Sequence, residues 1–119
     1  MIFICYPKCT TCQKAKKYLD EKGIDYVLRD IKLENPTRDE LALWHRKSGM
    51  DLKKFFNTSG LQYRALALKD RLPAMNENEM LDLLATDGML VKRPLLIAED
   101  RVLVGFKPEL WAQVCDALE

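Results

Sequence analysis

Apolar positions along the chain fall into two periods, one of about 2 residues and one of about 3.6. Ile2 to Tyr6 is a short β-prone run closed by Pro7. From Thr10 to Lys22, Cys12, Ala15, Tyr18 and Leu19 form an apolar stripe among lysines, which predicts a helix. Gly23 stops that helix as a C-cap glycine does, and Asp25 to Ile31 returns to strand character. The first thirty residues thus predict β-α-β with a right-handed parallel crossover. After Asn35-Pro36, Thr37-Arg38-Asp39-Glu40 is a capping box that opens a second helix, with Leu41 and Trp44 inward and Gly49 just past its end. Asp51 to Phe56 and Leu61 to Leu68 read as two short helical pieces around Asn57-Thr58-Ser59-Gly60. Asn76 caps a further helix in which Met80, Leu81 and Leu84 recur at helical spacing before Gly88. Leu95 to Ala98 and Val102 to Phe106 flank Glu99-Asp100-Arg101 as an antiparallel hairpin. Leu110, Trp111, Val114, Cys115 and Leu118 line one face of a closing helix. The order β-α-β, helices, β-β-α predicts an α/β fold: a thioredoxin-like mixed sheet with a helical insertion at about residues 36–88.

Length and composition narrow this without redirecting it. A chain of 119 residues fits a single domain over 1–119, of radius of gyration roughly 13 to 14 Å. At that size folding hides about two-thirds of the unfolded surface, so no metal or structural disulfide is needed. Lys plus Arg number 19 against 18 Asp plus Glu, a net charge of +1, which gives no field for direct nucleic-acid or anionic-membrane binding. With 48% apolar and 31% charged residues the chain is globular rather than disordered. No run approaches the ~18 apolar residues of a spanning helix, and Met-Ile-Phe-Ile-Cys-Tyr-Pro has no basic segment of a secretory signal. A reducing cytosolic location is expected, where a close cysteine pair reads as redox chemistry or metal binding.

Cys9-Thr10-Thr11-Cys12 sits where the first strand gives way to the first helix. Unpaired N–H groups and the positive end of the helix dipole stabilise a thiolate there, which makes Cys9 the nucleophile. Cys12, three residues on, is close enough for a disulfide and becomes the resolving thiol. Two blander readings compete: a pair of reduced, half-buried thiols without a task, and half of a zinc site. Zinc wants four ligands, yet the chain has no second C-x-x-C and a single histidine, His45, on a helix whose neighbours Leu41 and Trp44 face inward. No metal is expected, and His45 reads as a surface or helix-packing residue. Cys5, in a strand, and Cys115, in an apolar stripe, read as core. On the residues alone Arg93–Pro94 is trans and marks a strand start, and Arg64 is a solvated helix residue.

Five segments occur in order: Tyr6-Pro7-Lys8-Cys9-Thr10-Thr11-Cys12, Phe56-Asn57-Thr58-Ser59-Gly60, Tyr63-Arg64-Ala65-Leu66, Asp87 to Pro94 and Val104-Gly105-Phe106-Lys107-Pro108. With them the chain resembles the ArsC/Spx family from its first strand to its last helix. The resemblance implies a thioredoxin-like fold with a helical insertion and a cis bond between Arg93 and Pro94 beside the cysteine loop, against the trans reading. In the glutaredoxin-coupled arsenate reductases of the family, a loop cysteine attacks arsenate while three arginines hold the oxyanion. The cysteine maps to Cys9 and two arginines to Arg64 and Arg93. Lys107 stands in the third place, keeping the charge without the bidentate fork. Catalytic roles are thus expected for Cys9, Cys12 and Arg93, substrate binding for Thr10, Thr11, Arg64 and Lys107, and a structural role for Pro94.

The resemblance implies no bound cofactor, with glutathione and glutaredoxin or thioredoxin as reductant. Cys12 departs from those reductases, which use an external thiol. The C-x-x-C form is closer to the Spx regulators, which bind RNA polymerase and use the disulfide as a sensor. Asn57-Thr58-Ser59-Gly60 and Tyr63-Arg64 side with the reductase-like branch. The expected function is an arsenate-reductase-type thiol oxidoreductase, with a redox-sensing regulator and a non-catalytic thiol or oxyanion-binding module as alternatives.

Overall fold

The computed structural model describes residues 1–117, so Leu118 of the predicted closing stripe lies outside the described residues. Four strands form one mixed sheet in the order β2-β1-β3-β4. Strand β1 (Ile2–Cys5) pairs parallel with β2 (Val27–Asp30) and antiparallel with β3 (Leu95–Ile97), which pairs antiparallel with β4 (Val102–Val104). Helix α1 (Thr10–Glu21) makes the crossover. It ends where predicted: Gly23 adopts φ +69°, and the N–H groups of Gly23 and Ile24 close on the carbonyls of Asp20 and Leu19.

The helical insertion comprises α2 (Arg38–Ser48), α3 (Leu61–Ala65), α4 (Leu68–Arg71) and α5 (Glu77–Leu84), with 3-10 turns at Leu52–Phe55, Leu72–Ala74 and Gly88–Leu90. Capping boxes start α2 at Thr37, with Glu40, and α5 at Asn76, with Glu79. The predicted Leu61 to Leu68 piece is interrupted because Ala67 takes the left-handed conformation at φ +52°, which starts α4 on a new axis. Arg29 of β2 grips the Glu40 carboxylate with two hydrogen bonds of 2.6 and 2.8 Å and so ties the sheet to the insertion. That pairing, opposed by partial burial and aided by the Thr37 N–H, lowers the Glu40 pKa to about 2.

Strand alternation splits the core into two layers. Ile4, Leu95, Ile97, Val102 and Val104 face the insertion, where Leu41, Trp44, Phe55, Phe56, Leu81 and Leu84 cover them. Phe3, Cys5, Leu96 and Leu103 face α1 and α6 (Pro108–Asp116), through Cys12, Ala15, Leu19, Trp111, Val114 and Cys115. Cys5 and Cys115 are therefore core, as read from sequence. His45 packs edge-on to Phe55 at 6.0 Å between rings, with Nδ1 3.7 Å from the Glu77 carboxylate, a helix-packing role.

Gly88 closes the insertion against the sheet: a β-carbon there would lie 1.8 Å from the Ile31 carbonyl oxygen, which only a bare backbone allows. The chain then returns through Lys92, whose N–H donates to the Phe55 carbonyl at 2.7 Å. The Arg93–Pro94 bond that follows is cis, which corrects the trans reading of the residues alone and agrees with the resemblance.

Candidate functional site

Cys9 is the N-cap of α1, with extended backbone angles of φ −84° and ψ 124° and no capping bond from its own side chain. A turn from Tyr6 sets it there, the Cys9 N–H donating to the Tyr6 carbonyl at 2.9 Å. Its sulfur is half-buried, and burial by itself would raise the thiol pKa. The N–H of Cys12, the Cys12 thiol, the Arg93 guanidinium and the N–H of Thr11 together outweigh that, leaving Cys9 below the usual thiol value.

Cys12 lies one turn on and inward, buried among the residues of the α1 and α6 layer. Burial pushes its pKa up to about 12, against a single N–H bond from Tyr6 at 3.3 Å, and the negative charge of Cys9 adds to the rise. Cys5, also buried, is raised by burial and by the Asp30 charge. All four cysteines are free thiols. Cys9 is therefore the more readily ionised of the two thiols, and Cys12 is a buried thiol that hydrogen-bonds to it.

Cys9 opens on a cleft of about 320 Å³. Thr11, Asn57, Thr58 and Ser59 line it, and Lys92, Arg93 and Lys107 supply three cations. No carboxylate is among the lining residues. Arg93 is steered by the Tyr6 ring, 5.3 Å below its guanidinium carbon, and by a 3.5 Å bond to the Met89 carbonyl. Lys107 reaches the cleft from the N-cap of α6.

The structure therefore brings together Cys9, Cys12, Thr11, Arg93 and Lys107. Pro94, joined to Arg93 by the cis bond, is buried. Thr10 and Arg64 are exposed and are not among the residues that line the cleft. Asn57, Thr58, Ser59 and Lys92 line it without having been singled out as site residues; the Asn57 to Gly60 turn read as a break between helices and, with the segment from Asp87 to Pro94, as a mark of the family resemblance. Their presence depends on the Phe56–Val91 bridge, a tertiary pairing that no local pattern announces. Among the described residues no group of three or more His, Cys, Asp or Glu side chains gathers to hold a metal, and no helix is long and apolar enough to cross a membrane.

Such a sheet, with a cysteine pair at its first strand-to-helix turn and a cis-proline beside it, defines a thioredoxin-like protein with a thiol site. The ArsC family profile matches residues 5–114, and the chain belongs to the ArsC family. Uncharacterized protein YusI of Bacillus subtilis (strain 168) is 52% identical over 92% of this chain and 92% of its own length. Regulatory protein MgsR of the same organism is 30% identical over 91% of this chain and 84% of its own. The crystal structure of an ArsC family related protein from Bacteroides fragilis matches with a TM-score of 0.94 at 55% identity, covering 95% of each chain.

Proposed function

We propose that this protein is a thiol oxidoreductase of the glutaredoxin-coupled arsenate reductase type. The observation that carries the reading is Cys9, its thiol pKa lowered, facing a cleft with three cations and no lining carboxylate, an environment suited to a tetrahedral oxyanion. Cys9 Sγ attacks the arsenic of arsenate; an As–S bond forms and one oxygen leaves, protonated, as water. Arg93 and Lys107 balance the charge that builds on the remaining oxygens. A second thiol then attacks Cys9 Sγ. An S–S bond forms, the As–S bond breaks, and its electron pair stays on arsenic, which departs as arsenite. Arsenic gains two electrons and the two thiols lose them. In this reading Cys12 is that second thiol, one helical turn from Cys9, and glutathione with glutaredoxin, or thioredoxin, then reduces the Cys9–Cys12 disulfide in the cytosol. No metal or organic cofactor enters the reaction as written.

A second reading is a redox-sensing regulator that binds RNA polymerase. The paired thiols and the relative named as a regulatory protein favour it. In that case oxidant, not arsenate, closes the disulfide.

Turnover of inorganic arsenate, coupled in turn to glutathione with glutaredoxin and to thioredoxin, separates the two. Arsenite formation with one of these reductants is expected. Its absence with both, alongside a Cys9–Cys12 disulfide that forms in mild peroxide and is reduced normally, would move the assignment to the regulator. Peptide mapping of the oxidised protein is expected to find Cys5 and Cys115 still reduced.

A further inference from the structure

We infer that Lys92 is a third oxyanion-binding cation of the Cys9 cleft, in the place that the family resemblance gives to Arg64. The inference rests on the oxyanion reading and names a residue of the same site. Three features of the structure meet at this side chain.

The first is a fixed root. The Lys92 N–H donates to the Phe55 carbonyl at 2.7 Å, and the preceding Val91 bridges to Phe56, so the insertion holds the backbone at and just before Lys92. The second is a path kept open for the stem. Gly105 adopts φ +78°, and a β-carbon there would sit 3.0 Å from Lys92 Cε and 3.9 Å from Cδ. The lysine methylenes thus run over a bare backbone toward the cleft, and any side chain at 105 would push them aside. The third is the charge at the tip. Lys92 makes no ion pair with a described carboxylate, and no carboxylate lines the cavity it enters with Cys9, Arg93 and Lys107.

Cations gathered around one cavity repel one another, so the arrangement is costly unless an anion occupies it. A tetrahedral oxyanion carries several acceptor oxygens and more than one negative charge, so a third cation can bind it beside Arg93 and Lys107. Lys92 is a compact cation with three donors that can bind a further oxygen without the planar fit a guanidinium demands. Arg64, on α3, is not among the residues that line the cleft, whereas Lys92 is.

The test reads anion binding directly, without turnover. Cys9 is alkylated with iodoacetamide, a neutral reagent, in low salt and in increasing inorganic arsenate or phosphate; the concentration that halves the rate gives an apparent dissociation constant. The wild type is expected to be protected saturably. Lys92→Met is expected to weaken protection by about ten-fold, the lower end of what a hydrogen bond to a charged group contributes. Lys92→Arg is expected to recover most of it, and Arg64→Met to weaken it less than Lys92→Met does. Lys69→Met, on the exposed side of α4, controls for net charge, and a thermal melt of each variant confirms folding. Protection of wild type and Lys92→Met at equal concentrations, or a larger loss in Arg64→Met, overturns the role of Lys92 while leaving the oxyanion reading intact. No protection of the wild type by either anion overturns both.

Discussion

The two thiols of the C-x-x-C segment are three residues apart and stand in opposite electrostatic surroundings. Both are partly withdrawn from water, and burial alone would raise both pKa values. At the rim, Cys9 gathers two N–H groups, a guanidinium and a neighbouring thiol, and these prevail. In the interior, Cys12 has one N–H donor, 1% exposure and the negative charge of an ionised Cys9 nearby. Deep burial holds Cys12 protonated, whereas at the rim the burial of Cys9 is outweighed by its several donors.

In the reaction proposed above, the contrast also sets the order of the two steps. Two influences that hold Cys12 protonated, the charge of Cys9 and the hydrogen bond to it, disappear once Cys9 is bonded to another atom. Cys12 becomes a better acid at the moment a resolving thiolate is needed. The first thiolate suppresses the second until it has been consumed.

Substitution at the two positions breaks the comparison most directly. Cys9→Ser is expected to lower arsenate turnover by more than about 1,000-fold, as loss of a nucleophile does, with no rescue by added thiol. Cys12→Ser is expected to retain the attack on arsenate and to regain turnover as glutathione is raised, because an external thiol can replace the resolving step. Equal losses in the two variants, both insensitive to glutathione, would mean that the thiols do not divide the labour. Arg93→Lys comes next in size. A planar donor beside the developing oxyanion is lost although the charge is kept, and turnover is expected to fall by about 100- to 1,000-fold. The rate of disulfide formation in peroxide is expected to change far less, since a lysine still favours the Cys9 thiolate. A proportional fall in both rates would assign Arg93 to the thiol alone and not to the oxyanion.

The Cys9 side of the cleft was legible in the chain because it is local. A strand closed by Pro7, a helix with a clear apolar stripe and a cysteine at their junction dictate the N-cap position within a dozen residues. Asn76, Thr37 and Gly23 were legible for the same reason, since capping chemistry acts over three or four residues. The cationic side was not. It is assembled from residues 57–59, 92–93 and 104–107, brought together by the Phe56–Val91 bridge and the β3–β4 hairpin. Spacing along the chain cannot bring Arg93 to Cys9; the family resemblance supplied that placement, but it also proposed Arg64, which points to no lining position here. The break at Ala67 was hidden because an alanine in the left-handed region contradicts its own propensity, a choice that only tertiary packing imposes.

The smallest effect sharpens the comparison most, because the two thiols are expected to change stability with opposite sign. Folding lowers the Cys9 pKa, so the stability it lends is complete above the unfolded value near 9 and is lost as the pH falls through the folded value. Folding raises the Cys12 pKa from 9 to about 12, so its contribution is complete below pH 9 and is lost as the pH climbs toward 12. Urea unfolding under reducing conditions, at constant ionic strength from pH 6 to 11, measures both. The stability of wild type minus Cys9→Ser is expected to grow with pH up to about 9 and then level off. That of wild type minus Cys12→Ala is expected to stay level up to about 9 and then decline. Taking differences removes the lysines and tyrosines that titrate in the same alkaline range, because they are common to both proteins. Two differences that move in the same direction would show that the thiols share one environment, and the order of attack and resolution argued from their contrast would fall with it.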